Sequence, residues 1–146
     1  MKNPFGILTR TCTKKDYDFV YTLTKKTLFP YIEKYEPVNK KEFYNDFAKR
    51  YKEIIIFMKG KLRIGFYHIA PDVFVKNALY VARIFISPAY QKKRIGYFLM
   101  KYFETLNYKK IRLQVWDNNP ALKFYKKLGY QVISKKGHRF LIQKKL

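Results

Sequence analysis

The sequence is short of cysteine, of acid and of long apolar runs. A single cysteine, Cys12, stands in 146 residues, which excludes an internal disulfide and a Cys-rich zinc module. The two histidines, His68 and His138, complete no metal-ligand spacing with it. No stretch of about 18 apolar residues occurs, so no membrane-spanning helix is expected. Met1 to Thr13 carries neither the apolar core nor the small-residue cleavage site of a secretory leader. A cytoplasmic, metal-free protein is therefore expected. There is no internal repeat, low-complexity tract or Gly/Ser linker, and the length suits one domain over residues 1–146.

Acid is scarce: 10 Asp and Glu stand against 32 Lys and Arg, for a net charge of +22. That balance suits anionic partners such as nucleotides, nucleic acid, a ribosome or acidic proteins. A solvated lysine surface explains it equally well, since most of the basic residues are Lys spread along the whole chain. Both readings stay open here. Apolar residues make up 48% and aromatics 19% of the chain, enough to build a core.

The pattern predicts β-α-α-β-β-β-α-β-α-β-β. Ile7 to Cys12 reads as a first strand. Thr13 with Asp16 opens a helix carrying Phe19, Val20 and Leu23, which Pro30 ends or kinks. Tyr31 to Pro37 reads as a loop. Asn39 caps a second helix with Phe43, Phe47 and Tyr51 inward. Glu53 to Met58 and Leu62 to Ala70 form a hairpin around Lys59-Gly60-Lys61, and Leu79 to Ile86 is a fourth strand. Ile95, Phe98, Leu99, Tyr102, Phe103 and Leu106 give the clearest helical periodicity in the chain. Ile111 to Trp116 is a strand. Pro120 opens a short helix that Gly129 ends, and Tyr130 to Ser134 and His138 to Gln143 close the chain as strands.

Two segments carry chemistry. In Ile84-Phe85-Ile86-Ser87-Pro88-Ala89-Tyr90-Gln91-Lys92-Lys93-Arg94-Ile95-Gly96-Tyr97, a strand stops at a proline, a basic loop follows and a helix begins. Free backbone N–H groups and the helix dipole then converge where a pyrophosphate can sit. In Asp117-Asn118-Asn119-Pro120-Ala121-Leu122-Lys123-Phe124-Tyr125-Lys126-Lys127-Leu128-Gly129-Tyr130, a strand, an Asn turn, a short helix and a glycine stop make one unit. Tyr125 falls on that helix's buried face, where an aromatic most often serves the core.

Together the two segments resemble the cofactor motifs of the GNAT superfamily of N-acetyltransferases. The first is similar to its Gln/Arg-x-x-Gly-x-Gly/Ala loop, with Gln91 first, Gly96 last and Arg94 in place of the first glycine. The second is similar to Asn-x-x-Ala, an aromatic pair and a Leu-Gly ending, filled by Asn118, Ala121, Phe124, Tyr125, Leu128 and Gly129. The resemblance covers nearly the whole chain. It implies an α/β (α+β) fold: a mixed, mostly antiparallel sheet of about six to seven strands flanked by four helices.

It also implies acetyl-CoA as donor and an unidentified primary amine, on a small molecule or a protein, as acceptor. The backbone of Phe85 and Ile86 would then pair with the pantetheine arm. The N–H groups of Lys92, Lys93, Arg94, Ile95, Gly96 and Tyr97 would hold the pyrophosphate, with Lys92 or Lys93 reaching the 3′-phosphate. Asn118 or Asn119 would bond the pantetheine, and Ala121, Phe124 and Tyr125 would line it. Tyr125 is expected as general acid to the leaving thiol. The fourth strand offers no carboxylate in Tyr80-Val81-Ala82-Arg83, so Glu33 is expected as base, with Glu36, His68 and His138 as alternatives. A monomer or a homodimer is expected. Two other readings keep the fold without the reaction: a nucleic-acid- or ribosome-associated protein, and an acetyl-CoA-sensing module.

Overall fold

The computed structural model describes residues 5–146; the first four, part of the stretch read above for a leader, lie outside it. Seven strands form one sheet: β1 (Leu8–Thr11), β2 (Ile54–Lys59), β3 (Leu62–Pro71), β4 (Ala78–Ile86), β5 (Lys110–Trp116), β6 (Gln131–Lys136) and β7 (Arg139–Lys145). Their order is β1-β2-β3-β4-β5-β7-β6. The β4–β5 pair is parallel; β1–β2, β2–β3, β5–β7 and β6–β7 are antiparallel. The expected mixed sheet is thus present, with seven strands.

Among the described residues five α-helices accompany it rather than four helices: α1 (Tyr17–Thr27), α2 (Phe29–Ile32), α3 (Lys40–Arg50), α4 (Ile95–Phe103) and α5 (Ala121–Lys127). The extra one is a single turn that starts at Phe29, before the stretch read as loop, and takes in its first two residues, Tyr31 and Ile32. Pro30 causes both features. It interrupts α1, and it suits the first turn of α2, where a missing N–H leaves no bond unmade. Leu106 falls outside α4, which stops at Phe103 before a turn.

The chain forms two compact units, Met1–His68 with Arg83–Gly96, and Ile69–Ala82 with Tyr97–Leu146. In the first, Cys12, Val20, Leu23, Phe47, Ile54, Ile56 and Phe66 are buried together, with Phe43, Tyr51 and Phe85 packed on them. Asn39 caps α3 as its position predicts, its Oδ1 accepting from Glu42 N–H at 2.9 Å. Asp16 lies beneath this layer at 2% exposure. It accepts from Arg10 at 2.8 Å through both oxygens, from Arg63 at 3.1 Å and from Thr13 N–H at 2.8 Å. Arg10 above all, then the Thr13 N–H and Arg63, hold the Asp16 carboxyl well below the usual carboxylate range, against its burial. Beside it, Cys12 is 2% exposed. Burial first, and Asp16 next, push its thiol up to about 12.

Gly65 on β3 stands where β4 comes closest. A Cβ there would meet the Phe85 carbonyl oxygen at 2.5 Å and Phe57 Cδ2 at 2.8 Å. Gly65→Ala is therefore expected to push the end of β4 outward, with a stability loss of about 1–3 kcal/mol. With the Phe85–Ile86 backbone carrying the pantetheine arm, as the resemblance implies, affinity for acetyl-CoA is expected to fall about tenfold. Melting curves and calorimetry check the two effects. Unchanged affinity in a destabilised variant would separate Gly65 from the site.

In the second unit, Leu79, Ile111, Leu113, Val115, Phe103 and Ile142 are buried. Gly129 closes α5 at φ +99°, a conformation glycine adopts freely. Its N–H donates to the Lys126 carbonyl and that of Tyr130 to the Tyr125 carbonyl, both at 3.1 Å. This turn brings the Tyr130 ring to 5.7 Å from that of Tyr125.

Candidate active site

The first unit carries Phe85, Ile86 and the loop into α4. The end of β4 is pinned from two sides. Ser87 N–H donates to the Ile64 carbonyl at 2.8 Å, and the Gln91 side-chain amide donates to the Ile86 carbonyl at 2.8 Å. Gln91, expected among the cofactor-binding residues, has its side chain turned back to tie the loop to the strand. Lys92 at φ 60° and Arg94 at φ 67° are left-handed. That conformation costs a residue with a Cβ about 1–2 kcal/mol. Arg94 is the residue that replaces the motif's first glycine, so the backbone keeps a glycine-like conformation without the glycine. Gln91 to Arg94 are exposed, and Ile95 is buried at the start of α4. A loop with alternate left-handed residues before a helix gathers N–H groups around an anion, and Lys92, Lys93 and Arg94 add charge. These residues fit a pyrophosphate.

The second unit carries Tyr97, Asn118, Asn119, Ala121, Phe124 and Tyr125. Tyr97 is exposed, under the Lys101 ammonium at 5.8 Å. Asn119 Oδ1 accepts from Ala121 N–H at 2.9 Å, so this side chain also shapes the start of α5. Asn118 is half-buried, and Phe124 is at the surface with its ring 5.2 Å from that of Tyr125. Tyr125 is buried, and its hydroxyl makes no hydrogen bond among the described residues. Burial pushes its phenol upward, which keeps the proton in place near neutral pH. The Tyr130 hydroxyl is buried and takes no partner among the described residues. Sequence reading singles out no role for it, because a Tyr after Leu-Gly reads only as packing.

Glu33 is exposed on a groove of about 480 Å³ in the first unit, lined also by Tyr21, Lys25, Phe29, Pro37 and Val38. Neither Glu33 nor Lys25 forms an ion pair among the described residues. Glu36 is not part of that lining. The histidines are both engaged with carboxylates. His68 is buried with its Nε2 2.9 Å from Glu53, and exposed His138 has its Nδ1 3.2 Å from Asp117. Sequence reasoning missed Tyr21 and Lys25. Their spacing of four along α1 was the available signal, overshadowed by the apolar face of Val20 and Leu23.

Residues 50–132 match the family model of the acetyltransferase (GNAT) domain, and the chain belongs to that family. It is an acyltransferase of the N-acetyltransferase class, with acetyl-CoA as donor. Among solved structures, it is similar to an acetyltransferase from Thermus thermophilus at a TM-score of 0.79 and 12% identity, covering 99% of this chain and 100% of that one. It is also similar to the PaiA N-acetyltransferase of Thermoplasma acidophilum in complex with coenzyme A, at 0.71 and 19%, over 96% and 99% of the two chains. Naa50 of Arabidopsis thaliana, in complex with the bisubstrate analogue CoA-Ac-MVNAL, is similar at 0.65 and 18%, over 97% and 99%. These likenesses are of fold. No curated protein compared with the chain matches it. No helix among the described residues is long and apolar enough to cross a membrane.

Proposed function

We propose that the whole chain acts in the cytoplasm as one N-acetyltransferase domain, moving the acetyl group of acetyl-CoA directly onto a primary amine. The observation that carries this reading is the Gln91 to Arg94 loop, fastened to Ile86 and left-handed at Lys92 and Arg94. In this reading N–H groups from Lys92 to Tyr97 hold the pyrophosphate. The Phe85–Ile86 backbone pairs with the pantetheine arm as an added strand, with Asn118, Ala121 and Phe124 along it. An N–H near Ile86 meets the oxygen that gains charge as the amine attacks the thioester carbon. The carbon–sulfur bond breaks, and the Tyr125 hydroxyl donates to the sulfur. Burial pushes the Tyr125 phenol further above a thiol's value of about 8.5, so it serves the leaving sulfur by donating a hydrogen bond rather than by giving up its proton. Glu33, free in the groove, receives the amine's proton directly or through water.

Calorimetry with acetyl-CoA tests the reading, followed by an amine screen that detects freed coenzyme A thiol. Binding at micromolar concentration or below is expected, with a rise in melting temperature by mass action. An unchanged melting curve at saturating acetyl-CoA would end the donor assignment.

One observation favours a polyanionic partner beside the enzyme reading. The three carboxylates of the second unit, Asp72, Glu104 and Asp117, all form ion pairs within it. Lys110 nevertheless stands directly opposite Lys145 across β5 and β7, a like-charge pair that an anion would relieve. Salt-dependent RNA binding without affinity for acetyl-CoA would favour a nucleic-acid- or ribosome-associated role on this fold.

A further inference from the structure

The groove of the first unit has a composition that selects among amines. Its floor is aromatic. Tyr21 and Phe29 lie 5.8 Å apart, and both rings meet Phe43, at 5.4 Å and 5.8 Å. Lys25, one helical turn beyond Tyr21, and Glu33 are its two charged lining residues. Two further cations stand by these rings, the Lys40 ammonium 5.0 Å from the Tyr21 ring centre and the Arg83 guanidinium 5.5 Å from that of Phe43, the latter also 4.0 Å from the Asp46 carboxylate. Glu33 is the only acid in the lining.

We infer that the acceptor is a primary amine whose own scaffold carries an anion, a carboxylate or a phosphate, next to an apolar body. The inference rests on the acetyltransferase reading of the same site. A polycation meets one carboxylate in the lining and is repelled by Lys25 there and by Lys40 beside Tyr21. An anionic amine satisfies both free charges at once: its ammonium faces Glu33 and its anion faces Lys25. Its apolar part covers Tyr21, Phe29 and Val38. Lys25 is a specificity-determining residue in this arrangement, and it takes no part in bond breaking. Charge selection at such a site works through the contrast between correct and wrong ligands rather than through raw affinity.

The test uses the full chain loaded with coenzyme A and measures binding by calorimetry, which needs no turnover. Phenylalanine is compared with phenylalaninamide, and O-phosphoethanolamine with ethanolamine, so that carboxylate and phosphate are scored separately. At least one anionic member is expected to bind about tenfold more tightly than its neutral mate. Lys25→Gln should bring that ratio close to one, and Lys25→Arg should keep most of it. With acetyl-CoA present, the same preference should appear in KM for the amine and leave kcat nearly unchanged. Equal binding within both pairs, a preference for the neutral mates, or a ratio untouched by Lys25→Gln would overturn the inference. Each of those results leaves acetyl-CoA binding intact. Failure of the enzyme reading looks different, as loss of acetyl-CoA binding itself.

Discussion

Tyr125→Phe is expected to lower turnover by about 10²-fold or more at saturating acetyl-CoA, with little change in affinity for acetyl-CoA. The variant keeps the ring, and with it the contacts to Phe124 and Tyr130 at 5.2 Å and 5.7 Å. Only the hydroxyl is lost. That hydroxyl has no partner among the described residues, so its removal strands no other group. A residue present only for packing would behave in the opposite way, with near-normal turnover and a small stability change. Rate constants measured across pH separate the two. Wild-type turnover at every pH in the Phe variant would remove Tyr125 from the chemistry.

Asp16→Ala should cost about 3 kcal/mol of stability at neutral pH. The carboxylate is 3% exposed and joins Arg10, Arg63 and the Thr13 N–H. The arginine side chains are 40% and 38% exposed, so they rehydrate when left alone. That keeps the loss at the low end for a buried pair. The cost has a pH signature. Arg10 foremost lowers the Asp16 pKa in the folded state, so the folded chain holds this proton less tightly than the unfolded chain does. The stabilisation is complete above the unfolded carboxylate value of about 4, and fades as pH falls through the folded one. Urea unfolding at pH 7 and at pH 3 should therefore show wild type and variant converging in acid. A gap of constant size would mean that Asp16 stabilises through packing alone.

Periodicity made most of the fold readable. Phe43 and Phe47 mark the inner face of α3, with Tyr51 packed on the same core just past its end, and the two apolar runs around Gly60 mark the hairpin. The one-turn α2 was hidden, since Pro30 reads equally as a stop and as a first-turn residue. The loop into α4 was legible as a strand stop at Pro88, a basic turn and a helix start. The left-handed Arg94 was not, because a charged side chain gives no sign that its backbone has taken a glycine's place. The groove was least visible. Tyr21, Lys25, Glu33 and Val38 meet only when α1 breaks at Leu28 and the chain turns back, and no local rule contains that meeting.

Cys12 gives the experimenter an unplanned gauge. It is the only sulfhydryl in the chain, 2% exposed and held up to about 12. A disulfide reagent that scores liberated coenzyme A therefore finds almost no competing reactant in the folded protein. The same reagent, left with the protein alone, consumes Cys12 only as fast as its surroundings open. The slow colour that develops in such a blank is then a clock for the breathing of the core around Val20 and Ile54, read without a label, a mutation or a denaturant.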